Sequence, residues 1–253
     1  MTTKLAKWAS KHDQIIKSRL SYGHQAKSLP SVAEPIYDWL RFKGYLGNVG
    51  MNKILTRDDL RGRYKLPRGR AVGKQLDHID LHNKRFIEFA PFVILATSDA
   101  DGRADASPRG EAPGFVHVID AHTLAIPDRP GNNRLDSMEN ILENPEVGLI
   151  FLIPGVNETL RVNGTAEIRD DDDLRARLEV NGKRPAAVIV VDVREAYLHC
   201  AKALMRARLW DDDAKHTERP IPSMGEMIRD QTDSPETPEN DEDMIRRYRR
   251  ILY

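Results

Sequence analysis

Hydrophobic and polar positions alternate along the middle of the chain in short segments bounded by Gly, Pro, Asn or Asp. Such segments, at short and regular spacing, are typical of strands in an antiparallel barrel or sandwich. The pattern therefore predicts a mainly β protein. Its expected strands are "FVILATS", the segment after the "DADG" turn, "GFVHVID", "TLAIP", "VGLIFLIP" (147–154), "TLRVNGTAEI" (159–168) and the β-rich run 186–199.

Apolar residues at helical spacing predict a helix over 72–90, which Pro91 would end. "TRDDLRGRY" at 56–64 has the composition of a short capped helix, with Thr56 or Asp58 near its start. Further helices are expected to interrupt the strands at about 134–143, 170–180 and 200–209.

The two ends of the chain differ from its middle. Residues 1–53 show no clean period and predict a partly helical extension, while 54–229 form the main domain. Residues 230–243 are acidic and poor in apolar side chains, which favours a flexible linker. The final segment, 244–253, predicts a short helix that docks on the body or on a partner subunit, because such a helix is marginal alone.

Charge and cysteine content narrow the functional classes. The chain has 253 residues, with 39 Lys and Arg against 39 Asp and Glu, so its formal net charge is zero. A global nucleic-acid or membrane-surface role is not suggested. One cysteine, Cys200, excludes a disulfide scaffold. No secretory signal and no apolar run of about 18 residues are found, so the expected location is cytoplasmic.

The stretch "IPDRPGNNRLDS" at 126–137 concentrates positive charge at an expected helix start. Helix starts offer unpaired N–H groups, and Arg129 and Arg134 could add charge-assisted bonds to a phosphate. The alternative is a capped helix, with Asn133 as N-cap and Asp136 three residues later in a capping box. Both interpretations are open on spacing alone.

Two expected strands carry paired polar residues. Ser107 and Arg109 lie two positions apart, so their side chains share one face, and Pro108 between them suits an edge strand. Thr159 and Arg161 repeat this spacing further on. A hydroxyl and a guanidinium could hold a polar ring edge or a phosphate, but the alternative for either pair is an ordinary solvated strand face.

The remaining candidates are weaker. In "HCAKALMRARLW", Lys202, Arg206 and Trp210 recur at four-residue spacing and could face an anionic aromatic ligand, although a solvated face is the more common reason. His78 and His82 have the spacing of two metal ligands on a helix, but a third ligand is not evident. We predict no metal site, and no catalytic base is identified.

The segments "SPRG", "DRPGNNRLDS" and "HCAKAL" together resemble the pyridoxamine 5′-phosphate oxidase-like flavoproteins, and in particular an FMN-dependent subfamily that carries these motifs. The resemblance covers about residues 54–229. It implies a six-stranded antiparallel split β-barrel and a homodimer that binds FMN at the subunit interface.

The resemblance also implies roles for individual residues. The strand that holds Ser107 and Arg109 would run beside the flavin, and the partner subunit would contribute Thr159 and Arg161. The helix of "HCAKAL" would bring Lys202, and more weakly Trp210, near the flavin edge. The turn and helix start would bind the phosphate through Arg129, Asn132, Asn133, Arg134 and Ser137.

The implied function is FMN-dependent hydride or electron transfer with a small-molecule substrate or nicotinamide donor. True pyridoxamine-phosphate oxidases carry an "SRKG"-like turn where this chain has "NNRLDS", so that specific reaction is not expected. Two alternatives stay open. One is a relative that binds a deazaflavin or haem on the same barrel, and the other is a non-enzymatic protein that stores or senses flavin.

Overall fold

The computed structural model describes residues 54–252. The extension expected over 1–53 lies outside the described residues. Contacts divide the chain into two compact units, Met1–Leu66 and Pro67–Tyr253. The candidate site residues all belong to the second unit.

Helix α1 (Arg57–Arg63) is the helix described in the first unit. It begins after Thr56, whose side-chain oxygen accepts a hydrogen bond from the amide of Asp59. This capping contact satisfies one of the N–H groups that a helix start leaves unpaired. The helix predicted over 56–64 is therefore confirmed.

The second unit is built on an antiparallel sheet of seven strands in the order β2-β1-β5-β6-β7-β4-β3. The mainly β, antiparallel class predicted from alternation is confirmed. Six strands have five or more residues, which is the number that the family resemblance implied. The seventh segment predicted from alternation, "GFVHVID", forms only the two-residue strand β3. The bounds are β1 Phe92–Ser98, β2 Ala104–Gly110, β3 His117–Val118, β4 Thr123–Pro127, β5 Glu146–Leu152, β6 Thr159–Arg169 and β7 Val188–His199.

One face of the sheet forms the hydrophobic core. Leu95, Leu149 and Val162 are paired across β1, β5 and β6, and all three are buried. Burying a side chain of this size contributes roughly 1.5–3 kcal/mol. Residues one position along each strand point to the other face, which is only half buried at Ile94 and Ile150.

The single helix predicted over 72–90 is wrong: the structure has α2 (Arg70–Gly73) and α3 (Leu81–Phe89) instead. Between them the backbone of Leu76 pairs with Ala196 of β7, which draws the chain into an extended form. His78 precedes α3, so it does not share a helix with His82.

The other interior helices are shorter than predicted. Helix α6 ends early because Arg208 adopts a left-handed conformation with φ 53°. Their bounds are α4 Asp136–Glu143, α5 Asp172–Arg177 and α6 Lys202–Ala207, followed by a 3₁₀ turn at Asp212–Ala214.

The C-terminal part forms α7 (Met224–Thr232) and α8 (Asp241–Ile251). The helix expected over 244–253 thus begins three residues earlier, after Asn240, whose side chain caps it. An ion pair between Arg247 and Glu239 fastens α8 to the preceding segment. No helix within residues 54–252 has the length and apolar character needed to cross a membrane.

Candidate functional site

Two ion pairs join opposite ends of the sheet. Strand β2 lies at one end of the strand order, and β4 with the short β3 lies at the other. Arg109 of β2 donates from Nη1 to Asp128 Oδ1 at 2.9 Å, and Arg129 donates from Nε to Glu111 Oε2 at 2.7 Å. We call Arg109, Glu111, Asp128 and Arg129 the Arg–carboxylate clasp. It links the ends of the sheet where strand hydrogen bonds do not.

The clasp is largely shielded from water. Its side chains are 20% and 16% exposed in the Arg109–Asp128 pair, and 15% and 12% exposed in the Arg129–Glu111 pair. Arg129 also donates from Nη2 to the carbonyl oxygen of Leu178 at 2.9 Å. Removing one member of such a pair strands the other charge in a poorly solvated place, which costs more than breaking a surface pair.

Arg109 has a buried donor that finds no acceptor. Its Nε is buried and has no hydrogen-bond partner among the described residues. A buried, unsatisfied N–H typically costs about 1–3 kcal/mol. Such a group calls for an explanation, and a bound acceptor is one.

His117 on β3 lies close enough to the clasp to be affected by its charges. Its pKa is below the ordinary histidine value because the imidazole is partly buried and the Arg129 guanidinium opposes a second positive charge. Glu111 acts in the opposite direction but does not cancel these effects. Neutral His117 is therefore the form favoured beside the clasp.

The start of α4 is not the capped helix that the alternative interpretation required. Asn133 and Leu135 both have left-handed backbones, with φ of 58° and 61°. An N-cap residue normally has an extended backbone, and the cap is Leu135, whose side chain makes no capping bond. The capping box of Asn133 with Asp136 is therefore wrong. The first amides of α4 have no intrahelical acceptor.

Asn132 and Arg134 shape this loop. The side-chain oxygen of Asn132 accepts from the Arg134 amide at 3.1 Å. The Arg134 side chain is 71% exposed and pairs with Asp136 at 2.7 Å, which raises the pKa of the guanidinium. Exposed pairs of this kind contribute little stability, about 0–1 kcal/mol, so Arg134 can exchange this partner for another anion.

Ser137 ties α4 to β2. It is 3% exposed, and its hydroxyl donates to Asp105 Oδ2 at 2.9 Å. Asp105, Ser107 and Arg109 alternate with exposed residues along β2, so all three side chains lie on its half-buried face. The predicted shared face of Ser107 and Arg109 is confirmed, and β2 is the edge strand that Pro108 indicated.

Thr159 and Arg161 lie on the other face of the sheet. Ser107 pairs with Leu95, Leu95 with Leu149, and Leu149 with Val162, so these four share one face. Arg161 is adjacent to Val162 and therefore points to the opposite face. Its guanidinium lies over the ring of Tyr197, 5.2 Å from the centroid. One chain does not bring Arg161 to Ser107 and Arg109.

The stripe predicted for Lys202, Arg206 and Trp210 does not form. Because α6 ends at Ala207, Trp210 lies beyond the helix, and its Nε1 donates to the carbonyl oxygen of Val156 at 2.9 Å. Lys202 is exposed at the first position of α6. Two apolar residues of this segment, Met205 and Leu209, are 61% and 48% exposed.

The acidic partners of the site were not predicted from the sequence. Three of the four predicted arginines have a carboxylate beside them: Asp128 for Arg109, Glu111 for Arg129 and Asp136 for Arg134. The signal was present, since Glu111 follows Arg109 by two positions and Asp128 adjoins Arg129. The positive charge concentrated in the sequence is thus locally neutralised. Backbone N–H groups and the exposed Arg134 are therefore the groups at this loop that remain able to bind an anion.

The family model described as pyridoxamine 5′-phosphate oxidase matches residues 79–200. Over this range, a little under half of the chain, the sequence is similar to the pyridoxamine 5′-phosphate oxidase-like family. The matched range contains every strand of the sheet, α4 and the complete clasp, and it ends before α6. The antiparallel sheet, whose two ends are joined by the clasp, agrees with the predicted split β-barrel fold.

Three solved structures illustrate what this chain is similar to. A variant of HupZ from Group A Streptococcus is 20% identical, with a TM-score of 0.41, over 48% of this chain and 99% of its own. An FMN-binding protein from Syntrophomonas wolfei subsp. wolfei is 13% identical, with a TM-score of 0.37, over 47% and 86%. The heme storage protein HutZ from Vibrio cholerae is 14% identical, with a TM-score of 0.33, over 48% and 93%. No curated relative matches the chain.

Proposed function

We propose that this protein is an FMN-dependent oxidoreductase, distinct from pyridoxamine-phosphate oxidase itself, that holds FMN between two copies of the chain. FMN, when bound, would supply the chemistry of hydride or electron transfer. The protein would supply binding, orientation and electrostatics. The observation that carries the proposal is the buried Nε of Arg109, a donor with no acceptor within the described residues, on the β2 face that Ser137 links to the start of α4.

The start of α4 fits a phosphate group. Leu135 leaves the first amides of the helix uncapped by a side chain, and the helix dipole favours negative charge there. Arg134 is exposed and held by a weak pair, so it can turn to a phosphate oxygen. Arg129, by contrast, is engaged by Glu111 and Leu178, and we assign it to holding the loop in place.

The face of β2 fits the polar edge of a flavin ring. Ser107 offers a hydroxyl, which can donate or accept, and Arg109 offers its buried Nε donor. The guanidinium of Arg109 carries a positive charge, so it would favour negative charge on a ligand beside it. Ser107 and Arg109 would therefore bind and orient the ring.

A second copy of the chain would account for the candidate site residues that lie on opposite faces of the sheet. Thr159 and Arg161 lie on the face away from Ser107 and Arg109, so they cannot reach a ligand held there by their own chain. A partner could present the half-buried Arg161, whereas Thr159 is only 6% exposed and is the weaker candidate of the two. That face carries the half-buried apolar residues Ile94 and Ile150, which a subunit interface would cover. Lys202, exposed on α6, stays a weaker candidate for the flavin edge.

The first test is the visible absorbance spectrum of the freshly purified full chain, with mass analysis of the molecule that denaturation releases. A two-band flavin spectrum with released FMN is expected. Released deazaflavin or haem would support the alternative cofactors on the same barrel. A colourless protein that takes up no added FMN contradicts the flavoprotein proposal.

Reduction of the bound flavin under anaerobic conditions separates an oxidoreductase from a storage protein. We expect NADH or NADPH to bleach the flavin band, because the proposed function requires a donor. If bound FMN is reduced by neither nicotinamide nor by a panel of other simple donors, storage or sensing of flavin becomes the better description.

Replacing Arg134 tests the phosphate site. Arg134→Ala is expected to weaken FMN binding by about 10-fold, the loss of one charge-assisted bond, and to leave riboflavin binding unchanged because riboflavin has no phosphate. Arg103→Ala is the matched control, since Arg103 is another exposed arginine, paired with Asp99 and Asp101 in the β1–β2 turn. Equal losses for FMN and riboflavin would refute the assignment of the phosphate to this loop.

A further inference from the structure

The Arg–carboxylate clasp combines two pairs that run in opposite directions across the same gap. From the β2 side, Arg109 donates and Glu111 accepts; from the β4 side, Asp128 accepts and Arg129 donates. Each pair therefore bridges the two ends of the sheet. The Arg109–Asp128 pair also leaves one buried donor, the Nε of Arg109, without an acceptor among the described residues.

Asp128 is rigidly placed. Its amide donates to the carbonyl oxygen of Ala187 at 2.9 Å, which continues the pairing of β4 with β7. Its carboxylate accepts a hydrogen bond from Nη1 of Arg109, and only 16% of the Asp128 side chain is exposed. Because a guanidinium is planar, fixing one terminal nitrogen limits where its Nε–H can point.

We propose that Asp128 is a positioning residue, which holds Arg109 so that its Nε–H faces the ring of the bound flavin. This inference rests on the proposed function and adds a residue to it. Asp128 itself acts through Arg109 and does not contact the ligand. The second pair of the clasp, Arg129 with Glu111, keeps the ends of the sheet joined when Asp128 is changed.

Asp128→Asn tests the proposal because it keeps the size of the side chain and removes its charge. We expect FMN and riboflavin to lose affinity by the same factor, roughly 10- to 100-fold, the range for a lost charge-assisted hydrogen bond. The visible bands of the bound flavin should also shift, because a donor at the ring edge is displaced. This pattern differs from that of Arg134→Ala, which should weaken FMN alone.

Asp99→Asn is the control for stability. Asp99 also pairs with an arginine, Arg103, and its side chain is 21% exposed, but it lies in the turn at the far end of β2 from Arg109. We expect this variant to lower the melting temperature and to leave flavin affinity and spectrum unchanged. If the two variants change binding and spectrum alike, Asp128 has only a structural role and the proposal is overturned.

A double-mutant cycle with Arg109→Gln decides whether Asp128 works through Arg109. Once Arg109 is replaced, adding Asp128→Asn should change flavin affinity by no more than about twofold. Full additivity of the two substitutions overturns the inference. The comparison of Arg109→Gln with the double variant holds even if Asp128→Asn alone does not fold, because the double variant leaves no unpaired charge.

The two proposals fail in different ways. A wild-type chain that binds neither FMN nor riboflavin overturns the proposed function together with this inference. A wild-type chain that binds FMN, with an Asp128→Asn variant that keeps wild-type affinity and spectrum, overturns the inference alone.

Discussion

Gly164 shows how one residue can limit the whole sheet. It lies at the irregularity of β6 where the register with β7 shifts between Asn163 and Gly164. A Cβ added at Gly164 would lie 1.9 Å from the carbonyl oxygen of Asp192, far inside contact distance. Since the neighbour is backbone in the centre of the sheet, it cannot move aside without breaking the β6–β7 ladder.

We therefore expect Gly164→Ala to destabilise the protein by more than about 3 kcal/mol, beyond the usual cost of overpacking, as measured by urea unfolding. Gly73→Ala is the control, because a Cβ there meets nothing within 4 Å. It should be neutral or slightly stabilising, since alanine is favoured over glycine in a helix. A Gly164→Ala variant as stable as the Gly73→Ala variant would contradict this account.

At the residue scale, the sequence predicted which side chains supply hydrogen-bond donors at the site, but it did not predict the carboxylates that pair with them. The spacing of Ser107 and Arg109 on a strand predicted their shared face, because alternation follows from backbone geometry alone. The pairing of Arg109 with Asp128 could not be predicted in the same way, because it depends on two ends of a sheet meeting in space. Arg129 was predicted to bind the phosphate because of its positive charge, but its guanidinium forms an ion pair with Glu111.

At the scale of the element, helix α3 shows what periodicity leaves out. Apolar spacing predicted one helix over 72–90, yet the helix begins at Leu81 because Asp80 caps it, accepting from the amide of Asn83 at 2.8 Å. Periodicity reports which side chains face the core and is insensitive to a break where Leu76 joins β7. Asp80, a capping residue type inside the periodic segment, was the signal in the sequence that the helix begins there.

Asp80→Ala should cost about 1 kcal/mol of unfolding free energy, the usual loss when a capping side chain is removed. Hydrogen exchange should show the loss first as faster exchange of the Asn83 amide. Asp77→Ala is the matched control, since Asp77 is exposed and pairs with His78 alone; it should stay within about 0.5 kcal/mol of wild type. Equal effects of the two substitutions would mean that the cap does not determine where α3 begins.

At the scale of the whole molecule, the sheet separates two sets of candidate residues. Ser107 and Arg109 lie with α4 on one face, whereas Thr159 and Arg161 lie on the other, next to the half-buried Ile150. The alternation of each strand was predictable, but the separation became visible only with the register across β1, β5 and β6. If both sets serve one ligand, the functional unit is larger than one chain.

The dimer proposal predicts that a charge on the apolar sheet face removes flavin binding without unfolding the chain. Ile150 pairs with Ile94 and Arg161 on that face, so Ile150→Lys would bury an unpaired charge in the interface. We expect light scattering to give the mass of a monomer, circular dichroism to stay β-rich, and FMN affinity to fall at least 10-fold. Glu88→Lys, at an exposed position of α3, should leave the mass and FMN affinity of the wild type. A monomeric Ile150→Lys variant that binds FMN as tightly as wild type would show that each chain holds its ligand alone, and Thr159 and Arg161 would then have no part in the site.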